Sequence, residues 1–490
     1  MKYSAARVEQ RFVDSTKELR MKTFLFLDDW MLDSHRDIVR RFPQPKQIPV
    51  EPVTEMCSYA TVIRDPERAC YRSWYNRFLT VKGERVVAKC LAESEDGFHW
   101  EPVKLKKPVD RLGHLRSNLV FSGHTSAGEG TLMYDPIDPD PERRYKLTYS
   151  DRLGPGQEQL RESSESPASD RSLGLTAYSP DGIHWRIDDD HPFYTVPGGC
   201  DTLIMPLFNP VTERYQVVVR PSVLDRRIAI VESPDFLNWT QPLTVLTPDP
   251  LDEPFLQFYG MPWFYYEDLF IGLLWDHHIN QDELGGVKWS GVIDCELAYS
   301  YNGVHWNRTN RQPFIGRTEP GTYGCGSVYP HSLLIDEDDR IRIYSAGLLT
   351  DHSIEEPPKG FESIGAMIVH QLRKDGFAYL EPRAGWGTVT MRSVKPRSGE
   401  ITINFRAPLG QVLVQISDPN RKPIPGYSFE DCIPLTGDEL YARPRWKERK
   451  DASKLIGEHV RLEFKLFQAE LYAVRWDVQP WYGDLPIERI

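Results

Sequence analysis

The chain has 490 residues, 40% of them hydrophobic and 27% charged, and a formal net charge of −12. That length exceeds one ordinary compact domain, and the composition is globular. An acidic chain with interspersed charges repels phosphate backbones, which excludes nucleic acid as an expected partner.

Thirteen Trp and 23 Tyr suit β-structure and sugar binding alike. The seven cysteines, Cys57, Cys70, Cys90, Cys200, Cys295, Cys325 and Cys432, are scattered and contain no CxxC pair. That pattern argues against a disulfide framework and a structural zinc site, and no metal or other cofactor is expected. The opening MKYSAARVEQRFVDSTKELRMKTFLFLDDW has no apolar run of signal-peptide length, and no run of transmembrane length occurs anywhere. The expectation is a soluble, cytoplasmic protein without a membrane partner. A leader removed beforehand stays open, and so does homo-oligomerisation.

In chain order, residues 1–50 read as a segment leading into the first repeat. Then two phrases alternate. One is an apolar strand, an acidic or Asn turn, and a strand rich in Tyr, Arg or Trp. It begins at Tyr59 (YATVIRDPERACYRSWY), Gly130 (GTLMYDPIDPDPERRYKLTYS), Asp201 (DTLIMPLFNPVTERYQVVVR), Tyr259 (YGMPWFYYEDLFIGLLW) and Ser327 (SVYPHSLLIDEDDRIRIYSAG). The other is SEDGFHW at Ser94, SPDGIHW at Ser179, SPDFLNW at Ser233 and SYNGVHW at Ser300, with a weaker echo, KDGFAYL, at Lys374. Period-two alternation reads as strand, and a central Asp-Gly or Asn-Gly reads as a hairpin turn. SPDFLNW lacks the Gly, so its turn is expected to differ. The tryptophans that end the phrase, Trp100, Trp185, Trp239 and Trp306, are expected to be buried between blades.

Four strands per cycle and five cycles predict an all-β fold, a five-bladed β-propeller over 51–385. The polar stretch from Gly154 to Asp170 reads as a long loop in blade two. From 386 to 490 the pattern becomes short alternating strands, such as GEITINFRA and HVRLEFKLFQAELYAVRW, and predicts a C-terminal β-sandwich.

Five such cycles followed by a sandwich resemble the β-fructosidase-like enzymes of glycoside hydrolase family 32, with relatives in families 43 and 68. The resemblance runs from about Phe24 to Trp476 and is greatest to a divergent branch opening with a FLDDW-like phrase, here Phe26 to Trp30. It implies a glycosidase. Family 32 proper carries a WMNDPNG-like nucleophile phrase, an RDP stabiliser in blade two and an EC acid/base. Here RDP, Arg64 to Pro66, falls at the first blade's turn, and DCEL at Asp294 falls late in blade four. Those roles are not carried over.

The chemistry is therefore sought where inner strands begin, because those ends converge on the axis. The polar residues there are Glu55, Glu129, Asp201, Gln257, Tyr259 and the stretch from Cys325 to Tyr329; Asn118, Asp252, Glu253 and Glu319 sit on the loops leading in. Glycoside cleavage needs one carboxyl group held protonated and one ionised. The expected catalytic set is Asp201, Glu55 and Glu319. Asp29, Asn118, Gln257, Tyr259 and His331 are the expected substrate contacts, with Trp74 and Trp263 as further stacking faces. Two other readings remain: a glycoside phosphorylase binding phosphate through Arg116, Arg220 and His331, and a carbohydrate-binding propeller without catalysis.

Overall fold

A computed structural model of the chain describes residues 21–56, 58–152, 172–195, 202–221, 226–280, 290–352, 354 and 356–480. Its regular structure is β-strand with a few single-turn 3-10 segments, so the all-β expectation holds. Among the described residues no helix is long and apolar enough to cross a membrane. The chain divides into two compact units, one of residues 1–43 with 373–490 and one of residues 44–372.

The second unit holds five antiparallel groups of strands. The first comprises Thr61–Asp65, Cys70–Val81, Glu84–Ser94 and Glu101–Pro102, with Leu119–Phe121 added on the third. The second is Gly128–Tyr134, Tyr145–Arg152, Ser172–Ser179 and Arg186–Asp188. The third is Met205–Asn209, Arg214–Val219, Ile228–Ser233 and Leu243–Leu246. The fourth begins as two short pieces, Gln257–Gly260 and Trp263–Tyr266, followed by Leu269–Ile279, Gly291–Ser300 and Asn307–Ile315. In the fifth, Ser327–Ile335, Arg340–Leu348 and Gly365–Arg373 are completed by Lys46–Gln47 from the far end of the chain. The innermost strands of all five line one central channel of about 540 Å³. This is the propeller arrangement, and its last blade is completed by the early strand Lys46–Gln47.

That closure departs from the expected boundaries. The segment 1–50 does not simply lead in, since Lys46–Gln47 pairs with His370 and Gln371 while Met21–Leu25, Leu32–Arg36 and Ile38–Arg41 join the other unit's sheet. The fifth echo, at Lys374, turns into that same unit at Tyr379–Pro382. A blade's fourth strand only has to cover an edge, and the N-terminal strand already covers this one.

The repeated phrase does two jobs. In blade two, Asp181 Oδ1 accepts from the N–H groups of Ile183 (2.8 Å) and His184 (2.9 Å), and Gly182 N donates to Ser179 Oγ (2.8 Å). Asp96, Asp235 and Asn302 make the same pattern. The turn is a side-chain-capped loop of six residues between strands, for example 95–100, and not the two-residue hairpin that Asp-Gly suggested. SPDFLNW keeps the left-handed position, with Phe236 at φ +64° beside +77°, +73° and +72° at Gly97, Gly182 and Gly303, but its loop is longer and spans 234–242 between strands. The second job joins blades. The carbonyl of each capping residue accepts from the preceding blade: Asp181 from Arg72 (3.0 Å), Asp235 from Arg143 (3.0 Å), Asn302 from Asn209 (2.8 Å), and Asp96 from Arg342 of blade five. Gly182 is required for close approach as well as for φ, because a Cβ there would meet Trp74 Cζ2 at 2.5 Å.

The phrase tryptophans are only half-buried. They follow the outer turn, so each lies against the edge of a core. Among the described residues, the fully buried tryptophans of this unit are Trp74, Trp263 and Trp275, on first and second strands. Trp74 and Trp263 are thus packing residues and not sugar-stacking faces.

In the first unit, the expected sandwich is one hydrogen-bonded sheet of nine strands. The 24-residue strand Val394–Ser417 pairs with Glu470–Pro480 through its first part and with Arg461–Phe467 through its last. This change of partner lets one sheet enclose a core that includes Phe405, Val414, Phe464 and Trp476.

Candidate functional site

The five inner strands run side by side along the channel. Thr131 N donates to Ile204 O (3.0 Å), Leu132 N to Thr61 Oγ1 (3.1 Å) and Val62 N to Ser332 Oγ (3.0 Å). Residues just before these contacts therefore gather at one end of the channel. Three inner strands lose register there: at Glu129–Gly130 between Gly128 and Thr131, at Tyr259 between Phe258 and Gly260, and at His331 between Pro330 and Ser332. A bulge re-aims a side chain, and bulges cluster beside active sites. In blade four the break lies within the first short piece, Gln257–Gly260.

Glu55 lies in the single-turn segment Thr54–Met56 ahead of blade one. Arg116 Nη2 donates to both of its carboxylate oxygens, at 2.9 and 2.7 Å. Asn118, buried beside this pair, donates to Tyr75 Oη (2.9 Å) and to Leu91 O (3.3 Å), and so braces blade one.

Gln257 is buried, and its Oε1 accepts from Arg226 (2.7 Å). Tyr259 lies under two guanidinium groups, Arg220 at 4.9 Å and Arg226 at 5.3 Å from its ring centre. His352 meets it edge-on at 4.4 Å, and His277 at 5.8 Å. Among the described residues neither ring nitrogen of His277 has a hydrogen-bond partner. Burial, then His352 and Arg226, press its pKa far down and keep the ring neutral.

His331 is 3% exposed and lines the channel. Neither of its ring nitrogens makes a hydrogen bond of good geometry, although Ala60 O lies close enough to favour the charged form. Burial outweighs that and lowers its pKa to about 3. As an uncharged imidazole it can donate or accept, but it supplies no positive charge for phosphate.

Asp201 lies outside the described residues. Its neighbour Thr202 is buried and donates from Oγ1 to Tyr259 O at 2.7 Å. Glu319 is exposed in the loop before blade five, where its carbonyl accepts from Thr322 N (3.1 Å) and Oγ1 (2.7 Å). Asp29 belongs to the first unit, and its carboxylate pairs with Arg40. Asp252 is fully engaged by Arg308 and Arg311. Asp65 holds Arg72 (3.2 Å) and caps its own turn, a structural part.

One carboxylate at the channel end was passed over in the choice of acids. Glu129 stands between Gly128 and Gly130 at the start of blade two's inner strand, half-buried, with φ +51°. A non-glycine residue held in this region stores strain, and such strain collects at functional sites. The flanking glycines were the visible cue. A Cβ on Gly130 would meet Thr148 O at 2.4 Å, so the strand must be Gly there. Beneath it lies Lys89, 1% exposed, whose ammonium donates to Gly130 O and Asn76 Oδ1.

No family model matches the chain, and no curated protein matches it. Solved structures of similar trace include an N-acetylgalactosamine deacetylase from F. plautii in complex with blood group B trisaccharide, at 13% identity and TM-score 0.43 over 69% of this chain and 94% of that one. A glycosyl hydrolase from Bacteroides ovatus gives 12% identity and TM-score 0.43 over 67% and 94%. A β-1,2-mannobiose phosphorylase from Listeria innocua gives 12% identity and TM-score 0.44 over 70% and 98%. At this level of identity and overlap, the chemistry of this chain is argued from its own side chains.

Proposed function

We propose that the chain is a glycoside hydrolase that cleaves an oligo- or polysaccharide at the end of the channel where the inner strands begin. The observation that supports this reading is that Glu55 stands just ahead of blade one while the inner strands of blades two, four and five break register at Glu129, Tyr259 and His331. Glu55, held by Arg116 through both carboxylate oxygens, is the proposed base or nucleophile. Glu319 is the proposed proton donor and Asp201 the orienting acid, and Glu129 joins the set. Tyr259 offers an aromatic edge, and His277 and His331 offer uncharged hydrogen-bonding groups, to sugar hydroxyls. A glycan panel assayed with wild type and with Asp201→Asn and Glu129→Gln tests this reading. Binding without any cleavage would favour a carbohydrate-binding propeller.

Phosphorolysis is a second reading, favoured by Arg220 and Arg226 over Tyr259. It loses two of its expected members, since Arg116 is engaged by Glu55 and His331 is uncharged. Turnover that requires inorganic phosphate would establish it over hydrolysis.

A further inference from the structure

Lys89 stands out among the buried groups that the proposed chemistry does not use. Its side chain crosses from blade one's third strand to the inner strand of blade two. It is one of few lysines with almost no exposure, and burying an ammonium is costly unless its position is useful. It holds two acceptors from different elements, Asn76 Oδ1 and Gly130 O. The second belongs to the peptide that follows Glu129, within the bulge that turns Glu129 to φ +51°.

We infer that Lys89 is a positioning residue for the site: by tying the Gly130 carbonyl to Asn76, it holds Glu129 in its left-handed conformation at the channel end and adds positive charge to the surroundings of its carboxylate. This rests on the proposed reading only in giving Glu129 a part in the chemistry. The geometry stands without it. A neutral acceptor pair alone would not need an ammonium; an amide or hydroxyl would serve at lower desolvation cost. Burial lowers the Lys89 pKa to about 7, and the Glu129 charge works against that fall. His331 also faces this ammonium and is uncharged. Cys90, the next residue, is kept a thiol by burial.

The test has two arms. In the first, the Lys89 Nζ is followed by NMR titration in 15N-lysine-labelled wild type and Glu129→Gln protein. The midpoint is expected near 7 in the wild type and lower by about one pH unit in the variant, the size of one close opposite charge. An unchanged midpoint overturns the inference. This arm needs no activity, so it decides even if no glycan is cleaved and the proposed function fails. In the second arm, Lys89→Met and Lys89→Gln are assayed on a cleaved glycan. Both are expected to lower kcat about tenfold or more with KM little changed, and to move the acid limb of the pH profile. Gln, which can still donate to Gly130 O, should recover part of kcat but not the pH profile. Wild-type kinetics in both would overturn the inference. If Lys89→Met does not fold, Asn76→Ser, which loosens the same ammonium, replaces it with the same expectations.

Discussion

Arg116 Nη2 donates to both carboxylate oxygens of Glu55, across a loop and a single-turn segment that share no strand pairing. The side chains keep 25% and 41% of their exposure, so the pair contributes only about 0.2–1 kcal/mol to stability. Its value lies in orientation. Glu55→Gln is expected to lower turnover by about 10²–10⁴-fold, and Arg116→Met by about tenfold, with melting temperatures close to wild type. Full turnover in Glu55→Gln would remove it from the chemistry.

Phe236 occupies the position that three sister turns give to Gly. It is fully buried against Tyr215 (5.2 Å) and Trp239 (5.0 Å). Replacing it by Gly relieves a left-handed penalty of about 1–2 kcal/mol but forfeits about 3–5 kcal/mol of aromatic burial. Phe236→Gly should therefore unfold at lower denaturant than wild type. A more stable variant would mean that backbone strain outweighs packing there.

Asp181 caps its turn with one oxygen and holds His184 Nδ1 with the other, at 2.8 Å. Burial opposes its charge, but the His184 N–H and ring, then Ile183, more than offset that and hold its pKa below the usual carboxylate range. Its folded pKa lies below the unfolded one. The stabilisation is thus present above about pH 4 and is lost as pH falls further. Asp181→Ala should cost about 1–3 kcal/mol at neutral pH. Asp181→Asn should keep most of the stability, because Asn302 caps the same turn in blade four, and should lose the acid dependence. Equal losses in both variants would contradict this account.

His278 bridges Glu253 (2.5 Å) and Asp294 (3.1 Å). Burial alone would lower its pKa; Asp294 and then Glu253 outweigh it and raise the value to about 9. An ordinary imidazole titrates near about 6.5. The folded state holds this proton more tightly, so the stabilisation is complete below about pH 6.5 and is lost as pH rises through 9. The melting-temperature gap between wild type and His278→Gln should be wide in mild acid and should close in mild alkali. A gap independent of pH would show that the bridge carries no charge.

The repeated phrases alone determined the strand content and the number of cycles. Each of these follows from local chemistry: alternation makes strands, and a side-chain oxygen two or three residues before an N–H makes a capped turn. Tyr259 and His331 were legible for the same reason, as polar residues near inner-strand starts. Three things were decided only by tertiary structure. The fourth strand of blade five comes from Lys46–Gln47, because any strand of suitable edge can complete a sheet whatever its place in the chain. The phrase carbonyls clamp each blade to the one before, through contacts between residues 92 to 246 apart that no local pattern announces. The setting of Glu129 depends on a register break and on Lys89 from another blade, which tie its backbone in three dimensions. Spacing in sequence cannot show a bulge, since a bulge exists only between two paired strands.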